Sequence, residues 1–354
     1  MSTTPTEAPF QPLAHDTALR YGCRVVADSS DASTPGGGRL LTEEDFDGLV
    51  CAVLLRKLGL TGETQFVHPR DVTDGLVQCD GRDILTGLPF RDDVSLVFNH
   101  ELVAGLVAAE HDRHIFDPSA SSNSAVVFRH FQDQFDHLEA LGPMVEAADR
   151  AVSRNYTMDE VLHPAGWSML AFILDPRSGL GRHRGFRISN RRLMLDLIDH
   201  MSEVTDIDEI LKLPDVHERV ELYNSHRQVF EEQVRRCSTI VGNVLFVDWS
   251  EEPSVAAGNR FVKYALFPQV NTSLQFSWGF ERHTAVFTAG KSIFNRTCSL
   301  NIGALMLQYG GGGSADSGSC QVEAVHAADT KHELVTRLLT ERVQSEEIRS
   351  ILKV

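Results

Sequence analysis

The chain lacks long hydrophobic runs and an excess of basic residues. No stretch of about 18 uninterrupted apolar residues occurs, so we expect no membrane-spanning helix and no membrane partner. Its 354 residues include 33 lysines and arginines against 49 aspartates and glutamates, a net charge of −16 at pH 7. This acidic balance opposes capture of duplex nucleic acid. It leaves a small phosphorylated substrate open, because bound divalent cations reverse the local sign at a carboxylate site.

Cysteine is sparse and scattered. The six cysteines form no C-x-x-C pair, which excludes a thiolate zinc site and a disulfide framework and indicates a reduced, cytoplasmic compartment. The first residues, MSTTPTEAPFQPL, have neither a basic segment nor an apolar core, so we expect no secretory signal.

Length and composition indicate a folded protein of two domains. The hydrophobic fraction of 42% and the charged fraction of 23% are typical of globular proteins. We predict five segments: a mobile leader at 1–38, a first domain at 39–200, connecting helices at 201–238, a second domain at 239–325 and a C-terminal helix at 326–354. Homodimerisation is the default expectation for such a chain.

The first domain has the pattern of an α/β fold. RLLT reads as a strand and GLVCAVLLRKLGL as a helix that ends at Gly59, while TQFVHP and VSLVF read as further strands. Strands alternating with helices predict a doubly wound, mainly parallel sheet. The second domain reads as a smaller mixed-sheet α/β unit, with strands at TIVGNVLFVDW, NRFVKYALF, TSLQFSWGF and HTAVFTAG.

An acidic cluster, TEEDFDG, follows the first predicted strand. Glu43, Asp45 and Asp47 are spaced at i, i+2 and i+4, which places them on one face of an extended segment. Such hard oxygen donors suit Mg²⁺ or Mn²⁺. The alternative is an acid-rich first turn of a helix, favoured by the helix dipole.

Other polar residues lie beside predicted strands. Asp83 interrupts an apolar run in GRDILTGL, and Asn99-His100-Glu101 follows VSLVF. A histidine and an acid at the end of a strand are candidates for metal binding or acid–base catalysis. His111 and His114, in EHDRH, are an alternative pair, unless that stretch is only a solvated turn.

Two segments are candidates for binding phosphate. Glycines 310–313 allow backbone N–H groups to approach an anion, or form a flexible turn. The loop DPRSGLGRHRGFRISN is a basic island that would recognise phosphate or pair with acids of the first domain; its arginines are Arg177, Arg182, Arg184 and Arg187. Ser121 and Ser122 would cap a helix in preference to binding phosphate.

The order of these motifs resembles the DHH phosphoesterase superfamily, in particular its exopolyphosphatase-like branch with a C-terminal DHH-associated domain. The corresponding stretches are TEEDFDG, GRDILTGLPF, FNHE, EAADRA and YGGGGSADSGS, across roughly residues 39–325. The resemblance implies a phosphohydrolase that uses two Mn²⁺ or Mg²⁺ ions and an activated hydroxide on a short oligonucleotide, a nucleotide or polyphosphate.

The resemblance also assigns roles to residues. The implied metal ligands are Glu43, Asp45, Asp47, Asp83, His100 and Asp149, with Asp83, His100 and Glu101 as the catalytic set. The implied substrate-binding residues are Arg177, Arg182, Arg296, Gly311, Gly312, Gly313 and Ser314.

The chain departs from the family pattern at several positions. Asn99 and Glu101 replace the outer residues of Asp-His-His, Ser314 replaces the histidine after the glycine run, and Glu43 stands where histidine is frequent. Glu101 adds a negative charge where the family has a donor near the substrate phosphate. These changes keep a second hypothesis open, namely a catalytically silent relative that binds a ligand or serves as an assembly subunit.

Overall fold

The computed structural model describes residues 37–101, 112–133 and 135–339, without the side chains of Asp136, His137 and Arg182. Nearly all of the predicted leader and the end of the predicted C-terminal helix lie outside these ranges. The described residues divide into two compact units, 37–224 and 225–339. The domain boundaries predicted from the sequence stay predictions. Within the described residues, no helix is both long and apolar enough to cross a membrane.

The sheet of the first unit is parallel. Its strands in the described residues are β1 (Gly38–Thr42), β2 (Thr61–Phe66), β3 (Ile84–Thr86), β4 (Leu96–Asn99) and β5 (His114–Phe116), in the spatial order β2-β1-β3-β4-β5. The carboxyl ends of all these strands therefore meet at one edge, where open α/β sheets bind ligands. The predicted α/β class with a parallel sheet is confirmed.

The helix α1 (Phe46–Lys57) begins within the acidic segment. The Asp45 carboxylate accepts the N–H of Gly48 at 2.8 Å and so caps the helix, and the apolar residues that follow are buried. A Cβ atom at Gly48 would stand 2.2 Å from the Glu43 carbonyl oxygen, so only glycine allows this tight entry. The predicted end at Gly59 is also confirmed, since that residue has a φ of +68°.

The rest of the first unit is largely helical. The helices are α2 (Pro69–Thr73), α3 (Asn123–Phe131), α4 (Gly142–Ser153), α5 (Met158–Leu162), α6 (Gly166–Leu174), α7 (Asn190–Glu203), α8 (Ile207–Ile210) and α9 (Pro214–Cys237), the last of which runs on into the second unit. Helix α1 packs against α3, α4 and α7.

The second unit holds a mixed sheet. Its strands are β6 (Ser238–Val241), β7 (Val244–Asp248), β8 (Thr272–Trp278), β9 (Thr284–Lys291), β10 (Gly312–Gly313) and β11 (Ser317–Glu323), in the order β10-β11-β9-β8-β7-β6, with β7 and β8 parallel and the other pairs antiparallel. The helices α10 (Val262–Leu266), α11 (Ile302–Leu307) and α12 (Ala327–Leu339) accompany it. The predicted smaller mixed sheet is confirmed.

One predicted strand of this unit is wrong. NRFVKYALF contains α10 rather than a strand. Phe261 and Tyr264 are both buried, three residues apart, and the Tyr264 hydroxyl reaches Ser273 of β8 at 2.7 Å and the carbonyl of Gly290 at 2.8 Å. Anchoring of this kind suits the helical period, which the alternating letters of the sequence concealed.

Candidate functional site

The site lies at the carboxyl edge of the parallel sheet. Asp47, in the first turn of α1, is 4% exposed. Its carboxylate accepts the backbone N–H of Asn123 at 2.9 Å, the side-chain amide of Asn123 at 3.0 Å and the backbone N–H of Ser124 at 2.9 Å. These donors form the first turn of α3, where the helix dipole favours a negative charge. Asp47 therefore joins α1 to the start of α3.

The same turn of α3 contacts two more candidate residues. Ser122 caps the helix by accepting the N–H of Ala125 at 3.0 Å, as predicted, and its hydroxyl donates to Asp149 at 2.6 Å. The Asn123 side-chain oxygen lies 2.9 Å from Nδ1 of His100. Burial raises the pKa of Asp149, while the Ser122 hydroxyl opposes the rise. Side chains from three distant parts of the sequence, Asp47, His100 and Asp149, thus surround one helix start.

Glu43 and Asp45 carry poorly compensated charge. Burial raises the pKa of Glu43 to about 8, and the negative charges of Asp45 and Asp47 add to the rise. Burial and the charge of Asp47 raise the pKa of Asp45 to about 6, against the stabilising N–H of Gly48. The nearby guanidinium of Arg177 lowers both pKa values. Acids held in this state are stabilised by a cation or a proton.

Arg177 is itself paired. Its Nε donates to Asp175 at 2.7 Å, and its Nη2 donates to the second oxygen of that carboxylate at 3.1 Å. Arg177 therefore shows the second alternative for the arginine loop, since it pairs with one acid of the first unit and lies in the field of Glu43 and Asp45, while phosphate recognition stays a prediction. Arg187 pairs with Asp215 at 2.5 Å, and the side chain of Arg182 lies outside the described part of the chain.

Among the residues that the structure describes, the second imidazole nitrogen of His100 has no hydrogen-bond partner. Nε2 is enclosed and lacks a hydrogen bond, and the nearest carboxylate oxygen, of Glu101, is 3.8 Å away. The Glu101 side chain is 81% exposed, in contrast to the 12% of His100. A buried nitrogen with an available lone pair costs stability unless a ligand satisfies it.

The donor chemistry fits a divalent cation. Among the described residues, no three His, Cys, Asp or Glu side chains are grouped closely enough to hold an ion in the present conformation. However, the enclosed Nε2 of His100 and the raised pKa values of Glu43 and Asp45 mark a lone pair and negative charge that a hard cation would satisfy. The site has the ligand types for a metal ion but is not closed around one.

Asp83 lies at the other edge of the sheet. Leu40 of β1 is in register with Ile84 of β3, so Asp83 stands level with Arg39, before the strand rather than after it. Its carboxylate accepts from Nε of Arg39 at 3.1 Å and from Nη2 at 2.7 Å. The position at the carboxyl edge is taken by Thr86, whose hydroxyl bonds that of Thr42 at 2.7 Å. The structure does not bring Asp83 to the site.

Sequence reasoning missed Asn123 and misjudged the surroundings of His114. A lone asparagine in a serine-rich loop gives no signal of its own, although the cap at Ser122 indicated where the helix begins. His114 lies on β5, with Nε2 at 3.1 Å from Asn99, and stacks on Phe90, whereas Asp112 and Arg113 before it form an exposed turn. His111 lies outside the described residues.

In the second unit two of the four glycines of the run, Gly311 and Gly313, pack closely against β11. A Cβ atom at Gly311 would stand 2.0 Å from the Ser319 carbonyl, and one at Gly313 would stand 2.2 Å from the Ser317 carbonyl. The N–H groups of Gly311 and Ser314 donate to Met306 and Ser317. Close packing therefore explains these glycines, and at least two of the N–H groups are not available to an anion. Nε of Arg296 donates to the Ile293 carbonyl at 3.0 Å.

Comparison with known proteins identifies a relative among solved structures. The chain is 45% identical to the pGpG-specific phosphodiesterase PggH from Vibrio cholerae, with 86% of this chain and 100% of that chain aligned and a TM-score of 0.77. CDC45 from Entamoeba histolytica is 10% identical over 85% of this chain and 95% of its own, with a TM-score of 0.48. RecJ from Thermus thermophilus with Mg²⁺ is 14% identical over 85% of this chain and 50% of its own, with a TM-score of 0.43.

The two weaker likenesses are too remote to bear on activity. No family model matches the chain, and no curated protein matches it by sequence. The likeness to PggH, by contrast, covers 86% of this chain at 45% identity. The chain belongs to the DHH phosphoesterase superfamily and is a metal-dependent phosphoesterase.

Proposed function

We propose that this chain is a phosphodiesterase of linear dinucleotides and that pGpG is its substrate. The observation that carries the proposal is the 45% identity to the pGpG-specific enzyme over all of that chain. Hydrolysis breaks the internal phosphodiester bond with water and yields two molecules of GMP. Among the substrates expected from the sequence, this selects the short oligonucleotide over single nucleotides and polyphosphate.

The metal ligands in this proposal come from the carboxyl edge of the sheet. They are the side chains of Glu43, Asp45, Asp47, His100 and Asp149, five of the six ligands predicted from the sequence, and Mg²⁺ or Mn²⁺ suits their oxygen-rich set. The pair of ions predicted from the sequence is part of the proposal. When bound, such ions supply a water of lowered pKa and neutralise charge on the phosphoryl oxygens.

The first turn of α3 prepares His100 for this role. The Asn123 amide donates through Nδ2 to Asp47, so its oxygen is the acceptor and Nδ1 of His100 carries the proton. Nε2 is then the unprotonated nitrogen with a free lone pair. Asn123 also orients the ring, as partners behind a ligand commonly do.

Arginine and serine side chains complete the proposal. Arg177, paired with Asp175 beside Glu43 and Asp45, offsets part of their charge and contacts a substrate phosphate. In the second unit, Arg296, the Ser314 hydroxyl and the backbone of Gly312 and Gly313 remain the proposed phosphate contacts. A cytoplasmic location and a homodimer also remain proposals.

The test is a turnover assay with metal control. Protein stripped of metal with a chelator and then given Mn²⁺ or Mg²⁺ should convert pGpG to GMP, measured by chromatography, and should leave cyclic di-GMP and polyphosphate intact. Asp149→Asn should abolish turnover. Asp199→Asn changes an exposed acid of α7 that pairs with Arg56, and is the matched control that should retain turnover.

Two outcomes would contradict the proposal. Cleavage of polyphosphate at the same rate as pGpG would contradict a specificity for dinucleotides. A metal-induced rise in melting temperature without turnover of any of these substrates would favour the silent relative that binds a ligand.

A further inference from the structure

Residues 292–297 of the second unit form a loop directly after β9, and this loop carries Arg296. Because Thr272 pairs with Lys291, the loop leaves the sheet beside the start of β8. Arg296 is exposed, and its Nε donates to the carbonyl of Ile293 in the same loop at 3.0 Å. The position of the guanidinium therefore depends on the conformation of the loop.

A single residue, Asn271, binds both ends of this loop. It immediately precedes β8 and is 5% exposed. Its backbone carbonyl accepts the N–H of Ser292 at 2.8 Å, and its side-chain amide donates to the hydroxyl of Thr297 at 3.1 Å. Ser292 and Thr297 are the first and last residues of the loop. Asn271 thus fixes the distance between the two ends and reduces the conformational freedom of the residues between them.

The hydrogen bonds of Asn271 belong to a chain in which each group donates to the next. Nδ2 of Asn243 donates to Oδ1 of Asn271 at 2.7 Å, which directs the Asn271 amide nitrogen towards Thr297. The Thr297 hydroxyl donates in turn to Oδ1 of Asn295 at 2.8 Å, and Nδ2 of Asn295 donates to the carbonyl of Gln269 at 3.0 Å. The donors and acceptors of the chain agree in direction, and successive bonds in such a chain polarise one another.

We propose that Asn271 is a positioning residue for substrate binding, because it holds the loop that carries Arg296. The inference rests on the proposed function, in which Arg296 contacts a phosphate of pGpG. Ser292, which is 3% exposed, stabilises the same conformation from within the loop, since its Oγ accepts the N–H of Phe294 at 3.2 Å and that of Asn295 at 3.1 Å. A binding group that is held in place before the ligand arrives loses less conformational entropy on binding.

Steady-state kinetics with pGpG tests this role. Asn271→Ala should raise KM by about threefold to tenfold, the equivalent of one hydrogen bond, and should change kcat by less than about twofold, because a contact used equally by substrate and transition state is weakened. Thr297→Val removes the same hydrogen bond at an exposed residue, where the fold tolerates the change, and should also raise KM. Thr297→Ser retains the hydroxyl and should keep the wild-type KM.

Thr284→Val is the matched control for Thr297→Val. The Thr284 hydroxyl also accepts from a side-chain amide, Nε2 of Gln321 at 2.7 Å, but Thr284 is the first residue of β9 and lies at the opposite end of that strand from the loop. This variant should leave KM unchanged.

A second background separates positioning of Arg296 from a general effect on structure. In Arg296→Met, which lacks the guanidinium, Asn271→Ala should raise KM no further, because the two changes act on one contact. An equal rise of KM in the wild-type and Arg296→Met backgrounds would overturn the proposal. A lower melting temperature of Asn271→Ala with no change in KM would also overturn it.

Hydrogen–deuterium exchange measures the order of the loop without substrate. Asn271→Ala should accelerate exchange of the backbone amides of residues 292–297, and Thr284→Val should not. Unchanged exchange in the loop would contradict the role of Asn271. Absence of pGpG turnover in the wild type would reject the proposed function instead. Calorimetry with GMP in chelator would then test Asn271, because Asn271→Ala should weaken GMP binding only where Arg296 is present.

Discussion

The two edges of the parallel sheet treat buried acids in opposite ways. At the amino edge, Asp83 receives two hydrogen bonds from Arg39, and a third from the backbone of Asp80 at 2.8 Å. At the carboxyl edge, Glu43 and Asp45 face one another and Asp47, and their pKa values rise to about 8 and about 6. An acid whose negative charge is compensated stabilises the fold, whereas an acid whose charge is not compensated is stabilised by binding a cation. Compensation thus separates Asp83 from Glu43 and Asp45, whereas Asp47 combines a proposed ligand role with three hydrogen bonds.

The largest effect should follow from changing an uncompensated acid. Asp45→Asn should lower kcat/KM for pGpG by roughly 10³-fold, a size typical for the loss of one preorganised electrostatic group. The melting temperature should not fall, because asparagine also caps helices and a repulsive charge is removed. Steady-state kinetics and thermal melting measure the two effects. An Asp45→Asn variant that melts at a much lower temperature but keeps its activity would show that Asp45 is a structural acid, contrary to this prediction.

Changing the compensated acid should have the opposite profile. Asp83→Ala should lower the free energy of unfolding by about 3 kcal/mol, because Arg39 loses its partner. Turnover per folded molecule should not change, as measured well below the melting temperature. Replacing both partners in Arg39→Met with Asp83→Leu should restore much of the stability. Loss of turnover in the folded Asp83→Ala variant would contradict this prediction and would support the role of Asp83 as a metal ligand.

The metal-free protein should become less stable as the pH rises. The pKa of Glu43 is about 8 when folded, above its ordinary value of 4.5, so the folded state binds more protons between these values and loses stability as the pH increases through that window. Urea titrations should show that the free energy of unfolding falls from pH 5 to pH 8, and Glu43→Gln should remove up to about 4 kcal/mol of that fall. The exposed-acid variant Asp199→Asn should keep the wild-type slope. An unchanged slope in Glu43→Gln would mean that Glu43 is compensated after all.

The smallest effect concerns the cap of α3. Ser122→Ala removes a helix cap and the donor to Asp149, and should cost about 1 kcal/mol of stability with a measurable loss of turnover. Ser189→Ala removes the cap of α7, where the hydroxyl accepts from Arg192 at 3.1 Å, and should cost similar stability without loss of turnover. Equal activity of the two variants would show that the Ser122 hydroxyl does not contribute to turnover.

Much of the fold followed from the sequence, because its signals were strong and local. The apolar period of α1, its acidic start and Gly59 at its end agree with each other, so that helix was predicted at nearly its full length. The weak points were short elements. Strand β3 has three residues, too few for an alternating pattern to show on which side of it Asp83 stands. Helix α10 has five residues and is fixed by its contacts with β8 and β9.

The candidate site was predicted by residue type better than by position. Asp45, Asp47, His100 and Asp149 were named from the sequence, and their roles as ligands stay predictions. What they share, the first turn of α3, could not be predicted, because Asn123 gains its importance only when the fold brings β4 and α1 beside it. The compensation of Asp83 also depended on register, which fixes Arg39 as its neighbour.

The side-chain amide of Asn123 touches both Asp47 and His100, and the hydroxyl before it touches Asp149. These groups consequently share one small piece of backbone and cannot be adjusted one at a time. Substitutions at two of these positions should show strong epistasis in a double-mutant cycle, with a combined effect well below the sum of the single effects. Tuning the specificity of this enzyme by mutation would accordingly be easier in the second unit than around this turn.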